Sequence, residues 1–69
     1  MIIIKLDKVM ADKKISNKEL ADIIGITPAN LSNIKRGSIT SIRFSTLNKL
    51  CKELNCQPRD LLEYEYDFE

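Results

Sequence analysis

Sixty-nine residues suffice for one small domain and leave little room for an enzyme cleft. Apolar residues make up 43% of the chain, ordinary for a folded protein. There are no low-complexity tracts or repeats, and the longest apolar runs, 1–4 and 23–26, are too short for a membrane span or signal peptide. With a net charge of +1, no histidine, and only Cys51 and Cys56 as thiols, the composition argues against a strongly polyionic chain, a four-ligand zinc site and a disulfide framework.

In chain order, residues 1–5 are β-branched and apolar and predict a short strand. A first helix follows, capped by Asp7 or starting just before it, with Leu6, Val9 and Met10 as its i, i+3, i+4 stripe. It should end near Lys13 and Lys14, whose charges suit a helix C-terminus. Ile15 can then pack on the next turn as a hydrophobic staple. Ser16 and Glu19 form a capping-box pattern that starts a second helix. Its apolar stripe is Leu20, Ile23 and Ile24, and Gly25 supplies the left-handed conformation that ends it. Thr27 can cap a third helix, with Pro28 at its first position, Leu31 and Ile34 facing inward, and Gly37 closing it.

Residues 38–42 read as a loop. Ser45 is the expected cap of a fourth helix carrying Leu47, Leu50, Cys51 and Leu54 at i, i+3, i+4 and i+7. Asn55 stops it, and Gln57 and Pro58 open a short fifth helix with Leu61 and Leu62 toward the core. The tail, 64–69, alternates aromatic and acidic residues, so Tyr64, Tyr66 and Phe68 form one face of a strand. The apolar edge at Ile2, Ile3 and Ile4 should not stay uncovered. It is expected to pair with the tail, with its own copy in a dimer, or with both.

Charge is unevenly distributed. Asp60, Glu63, Glu65, Asp67 and Glu69 have no basic companion, so residues 1–59 hold all eleven bases against five acids, a net +6. Between Asp22 and Glu53 lie Lys35, Arg36, Arg43, Lys49 and Lys52 and no acid. Such a stretch is the footprint of a surface that meets phosphates, or else a solvated basic face. Catalysis lacks its usual parts, since the chain offers no histidine base and no glycine-rich phosphate loop. No cofactor or metal is expected.

The run SNKELADIIGITPANLSNIKRG, followed after a loop by RFSTLNKLCKELNCQPRDLL, resembles the helix-turn-helix family typified by the phage Cro and cI repressors. The resemblance spans residues 6–62. It includes the E-L-A run, the turn glycine, Leu31 and Ile34, the R-G ending and the L-x-x-L-C-x-x-L helix. It implies a mainly α, five-helix repressor-like domain, here with a short N-terminal strand, whose second motif helix, 27–36, enters the major groove. The MIIIKLD start and the acidic, aromatic tail resemble a compact bacterial subgroup of small regulators.

With Leu31 and Ile34 inward, a rotation of about 100° per residue puts Ala29, Ser32, Asn33 and Arg36 on the opposite face, flanked by Pro28 and Asn30. Asn33 can pair with adenine through two hydrogen bonds, Ser32 can bond to several bases, and Ala29 can touch a thymine methyl. Pro28 and Ala29 stand where the family often carries polar readers, so readout should lean on Asn33 and on DNA shape. The expected base-reading set is therefore Pro28, Ala29, Ser32 and Asn33. By resemblance, the expected backbone set is Asn17, Asn30, Arg36 and Arg43, with Arg43 at a phosphate or in a narrow minor groove. These readings converge on a cytoplasmic, homodimeric, sequence-specific regulator of double-stranded DNA, most simply a repressor on a palindromic site, with no membrane association. The alternative is a protein-interaction module, such as an antitoxin or anti-repressor, using the tail.

Overall fold

A computed structural model describes residues 1–66. The elements run β1 (Ile2–Ile4), α1 (Leu6–Lys13), α2 (Asn17–Ile24), α3 (Pro28–Lys35), α4 (Phe44–Leu54), α5 (Pro58–Leu61) and β2 (Leu62–Tyr64). The fold is mainly helical, as the sequence predicts, with a two-stranded antiparallel sheet in which Ile2 faces Tyr64, Ile3 faces Glu63 and Ile4 faces Leu62. The N-terminal strand therefore pairs with the C-terminal segment of its own chain.

Ten buried side chains make the core: Leu6, Met10, Leu20, Ala21, Ile24, Leu31, Ile34, Leu50, Leu54 and Leu61. Every helix contributes at least one of them, and no polar or charged residue among those described is buried. Helix α2 packs against both α3 and α4, which is why its buried positions are Leu20, Ala21 and Ile24. The expected inward place of Ile23 is corrected, for this side chain is 53% exposed. It lies about 105° around the helix from the centre of the stripe that Leu20, Ala21 and Ile24 define.

The helix ends follow one pattern. Lys14, Gly25 and Asn55 adopt left-handed conformations at the C-termini of α1, α2 and α4, with φ of 55°, 77° and 50°. The next residue in each case donates its amide five positions back: Ile15 to Met10, Ile26 to Ala21, and Cys56 to Cys51. This is the Schellman geometry, completed by an apolar contact across the same two positions. Ile15, Ile26 and Cys56 all pack at the edge of the core. Cys51 and Cys56 are free thiols serving as one such contact, and partial burial, followed by the charges of Cys51 and Asp60, raises the Cys56 thiol pKa.

Helix α1 begins at Leu6, just before Asp7, the second of the two starts expected for it. Two other boundaries differ from expectation. Helix α4 begins at Phe44 with Arg43 in the cap position and no side-chain cap, so Ser45 is inside the helix. Helix α5 stops at Leu61 because Leu62 turns extended to enter β2. The tail strand is accordingly Leu62–Tyr64, Tyr66 lies beyond it, and Phe68 is outside the described residues. No helix among the described residues is long and apolar enough to cross a membrane.

Candidate nucleic-acid interface

The pair α2 and α3 is built as the local sequence requires. The Ser16 hydroxyl accepts from the Glu19 amide at 3.1 Å while the Glu19 carboxylate accepts from the Ser16 amide at 3.4 Å, a complete capping box. Gly25 then reverses the chain, and Thr27 accepts from the Asn30 amide at 3.1 Å to start α3, whose first residue is Pro28. Two further contacts tie α2 to α3 and to α4. Asn17 donates through Nδ2 to the Pro28 carbonyl at 3.1 Å and, more weakly, to Ser32 Oγ at 3.4 Å. Lys49 reaches from α4 to the Ile24 carbonyl at the end of α2, 3.5 Å away.

With Leu31 and Ile34 buried against the core, α3 leaves Pro28, Ala29 and Asn30 exposed, Ser32 and Asn33 half-buried, and Arg36 exposed at its C-terminal end. Arg36 donates from Nη2 to Asn33 Oδ1 at 2.5 Å. Between α3 and the loop leading to α4 lies a depression of about 240 Å3 lined by Asn30, Asn33, Arg43 and Thr46 among others. Three of the expected backbone or base residues, Asn30, Asn33 and Arg43, thus line one depression beside α3, and Arg36 joins them through its bond to Asn33 at the C-terminal end of the helix.

Asn17 stands apart. Its amide, expected to reach toward the DNA backbone, is committed inside the protein, and its Oδ1 is buried with no hydrogen-bond partner. Ser32 likewise has its oxygen turned toward Asn17. Reading α3 as an isolated helix missed both relationships, since they depend on how closely the start of α2 approaches α3. The basic stretch also divides. Lys35 is 3.6 Å from the Asp7 carboxylate and Lys49 holds a helix end, while Arg36 and Arg43 project as exposed cations. Arg43 occupies the cap position of a helix that no side chain caps, so the first amides of α4 add their partial positive charge beside it.

The comparisons agree with this architecture. The sequence pattern of the Cro/C1-type HTH DNA-binding domain matches residues 5–67. An uncharacterised HTH-type transcriptional regulator of Bacillus subtilis strain 168, YozG, is 52% identical over 66 residues, covering 96% of this chain and 79% of that protein. A Bacteroides fragilis crystal structure, described as a candidate DNA-binding protein, superposes with a TM-score of 0.81 at 25% identity, over 91% of this chain and all of its own. This family consists of DNA-binding regulators and not of enzymes. The chain therefore belongs to the Cro/C1-type helix-turn-helix DNA-binding family.

Proposed function

We propose that this protein is a cytoplasmic repressor that occupies a specific site on double-stranded DNA and so excludes polymerase. The observation that carries this reading is the exposed face of α3, with Ala29, Asn33 and Arg36 outward, mounted on a helix pair fixed by a capping box and by the Asn17 bridge. Pro28, Ala29, Ser32 and Asn33 lie against base edges in the major groove. Asn30, Arg36 and Arg43 hold the flanking phosphates. Asn17 serves the backbone contact indirectly, by holding α3 against the start of α2.

The active species is a homodimer on a palindromic site. A single domain of this size offers limited contact area, and a two-fold dimer doubles it. The sheet supplies support for such an interface. Met1 pairs with Glu65 and Lys5 with Leu61 through backbone bonds, so by antiparallel alternation Ile2 and Ile4 turn their amides and carbonyls away from β2. That outer side of β1 has no strand neighbour among the described residues, and residues 1–4 carry no charged side chain. An apolar edge of this kind is normally covered.

Selection of bound duplexes from a random-sequence pool tests the reading. Enrichment of a palindrome with half-sites roughly 34 Å apart, one DNA turn, is the expected result. Enrichment of a lone half-site would remove the dimer, and no enrichment at low salt would remove DNA binding in favour of a protein partner for the acidic, aromatic tail.

A further inference from the structure

We infer that Arg36 sets the base preference of Asn33, so that the pair reads guanine where an unrestrained asparagine would read adenine. The inference rests on the DNA-binding reading above and concerns which base edge this face of α3 accepts. Asparagine recognises adenine because it offers both halves of the bond. Its Nδ2 donates to N7, and its Oδ1 accepts from the N6 amino group. In this protein Oδ1 already accepts from Arg36 Nη2, one helical turn away at 2.5 Å. Asn33 is half-buried and follows Leu31 and precedes Ile34, both in the core, so its backbone is held while Arg36 fixes the orientation of its amide.

The consequence is a change in what the face presents. Asn33 is left with its two N–H donors and a single Oδ1 lone pair held beside a cation, and the Arg36 guanidinium has further N–H groups and no acceptor at all. Ser32 has one lone pair turned to Asn17, which favours its O–H as the outward group. Pro28 and Ala29 add no hydrogen-bonding side-chain atoms. Donors therefore dominate the centre of the helix. An adenine there would bring its N6 amino group up against the guanidinium that already holds Oδ1, donor facing donor, whereas guanine displays two acceptors, N7 and O6, for two converging donors. Thymine offers only O4. The guanidinium, being charged, strengthens its bond to Asn33 and keeps further N–H groups for the flanking phosphate.

The test uses the full-length chain and three proteins: the unsubstituted protein, Asn33→Ala and Arg36→Met, the last keeping the apolar stem and removing every donor. Selection from random duplexes with Asn33→Ala identifies the position in each half-site that Asn33 governs. Guanine at that position with the unsubstituted protein, replaced by adenine with Arg36→Met, is expected. Adenine with the unsubstituted protein, or an unchanged guanine with Arg36→Met, would overturn the inference while leaving DNA binding intact. A second measurement needs no further variant. Replacing that guanine by 7-deazaguanine should weaken binding by the unsubstituted protein about tenfold, the scale of one lost base contact, and equal binding would overturn the inference. Absence of any salt-sensitive DNA binding would bring down the inference together with the reading beneath it.

Discussion

Asn17 donates its side-chain amide to the carbonyl oxygen of Pro28 across 3.1 Å, joining the first residue of α2 to the first residue of α3. The carbonyl it reaches lies in the opening turn of the helix proposed to enter the major groove. One amide therefore couples stability to the aim of that helix. Asn17→Ala should lose about 1 kcal/mol, the usual net contribution of a hydrogen bond, partly offset by removal of the unpartnered Oδ1. In a domain of this size that corresponds to a fall in Tm of roughly 4–8 °C, read from a circular dichroism melt. DNA affinity should fall as well. An unchanged melting curve would mean that packing alone fixes the helix pair.

Gly25 tests the turn between the same two helices. Its φ is +77°, and a Cβ built there meets nothing within 4 Å, so the cost of a side chain is conformational and not steric. Gly25→Ala should destabilise the fold by about 1 kcal/mol. Gly25→Asn should cost less, since asparagine tolerates this region and Asn55 already occupies it at the end of α4. Chemical denaturation of both variants decides the matter, and equal losses would show that the turn does not discriminate by backbone preference.

Much of this was legible in the residues because local chemistry decided it. Ser16, Glu19, Gly25, Thr27, Pro28 and Asn55 act through bonds to neighbours within one or two turns, and the structure puts each where its chemistry requires. Lys14 could not be read in the same way. Its side chain gives no signal for a left-handed conformation, which the Schellman contact of Ile15 with Met10 imposes. Ile23 belongs to the expected inward stripe, yet Ala21 is buried and Ile23 exposed, because hydrophobicity alone does not say which of two adjacent stripes will meet α3 and α4. The candidate site divides likewise. The outward face of α3 follows from periodicity, whereas the Asn17 to Pro28 and Lys49 to Ile24 contacts bridge elements and have no local signature.

Cys56 gives the fold an alkaline dependence. Burial raises its thiol pKa, and the charges of Cys51 and Asp60 act in the same direction. The folded protein therefore keeps this proton at pH values where the unfolded chain loses it. That contribution is complete below the ordinary thiol pKa of about 8.5 and is lost as pH rises through the higher folded value. Stability should decline more steeply above that point in the parent than in Cys56→Ala. Urea titrations across the alkaline range make the comparison, and parallel profiles would remove Cys56 as a source.

Lys35 ends α3 and Arg43 lies in the loop after it, and the two bases should behave differently toward DNA. Arg43 is exposed, borders the depression beside Asn33 and sits at the uncapped start of α4. Lys35 is drawn to Asp7 at 3.6 Å. Each phosphate neutralised contributes a slope of roughly −0.9 in log K against log salt. Arg43→Ala should flatten the measured slope by about that amount, while Lys35→Ala should leave it nearly unchanged. Fluorescence anisotropy on one duplex at several salt concentrations gives both slopes, and equal changes would place the two residues in the same role.

Ile2 provides the sharpest handle on self-association. It is 62% exposed and, by its place in the ladder, turns its backbone groups to the outer side of β1 and leaves the bonds to β2 to its neighbours. Ile2→Lys should therefore preserve the intramolecular sheet while putting a charged side chain onto a segment that has none in residues 1–4. Two copies meeting along this edge would bring two such charges together, a like-charge juxtaposition that disfavours pairing. Sedimentation velocity should show a dimer for the parent and a monomer for Ile2→Lys, with Tm at low protein concentration changed by little. The same variant should bind a palindromic duplex more weakly than the parent and a lone half-site about as well, since its α3 face is untouched. If the parent sediments as a monomer at all concentrations, or Ile2→Lys remains dimeric, the outer side of β1 is not where copies meet.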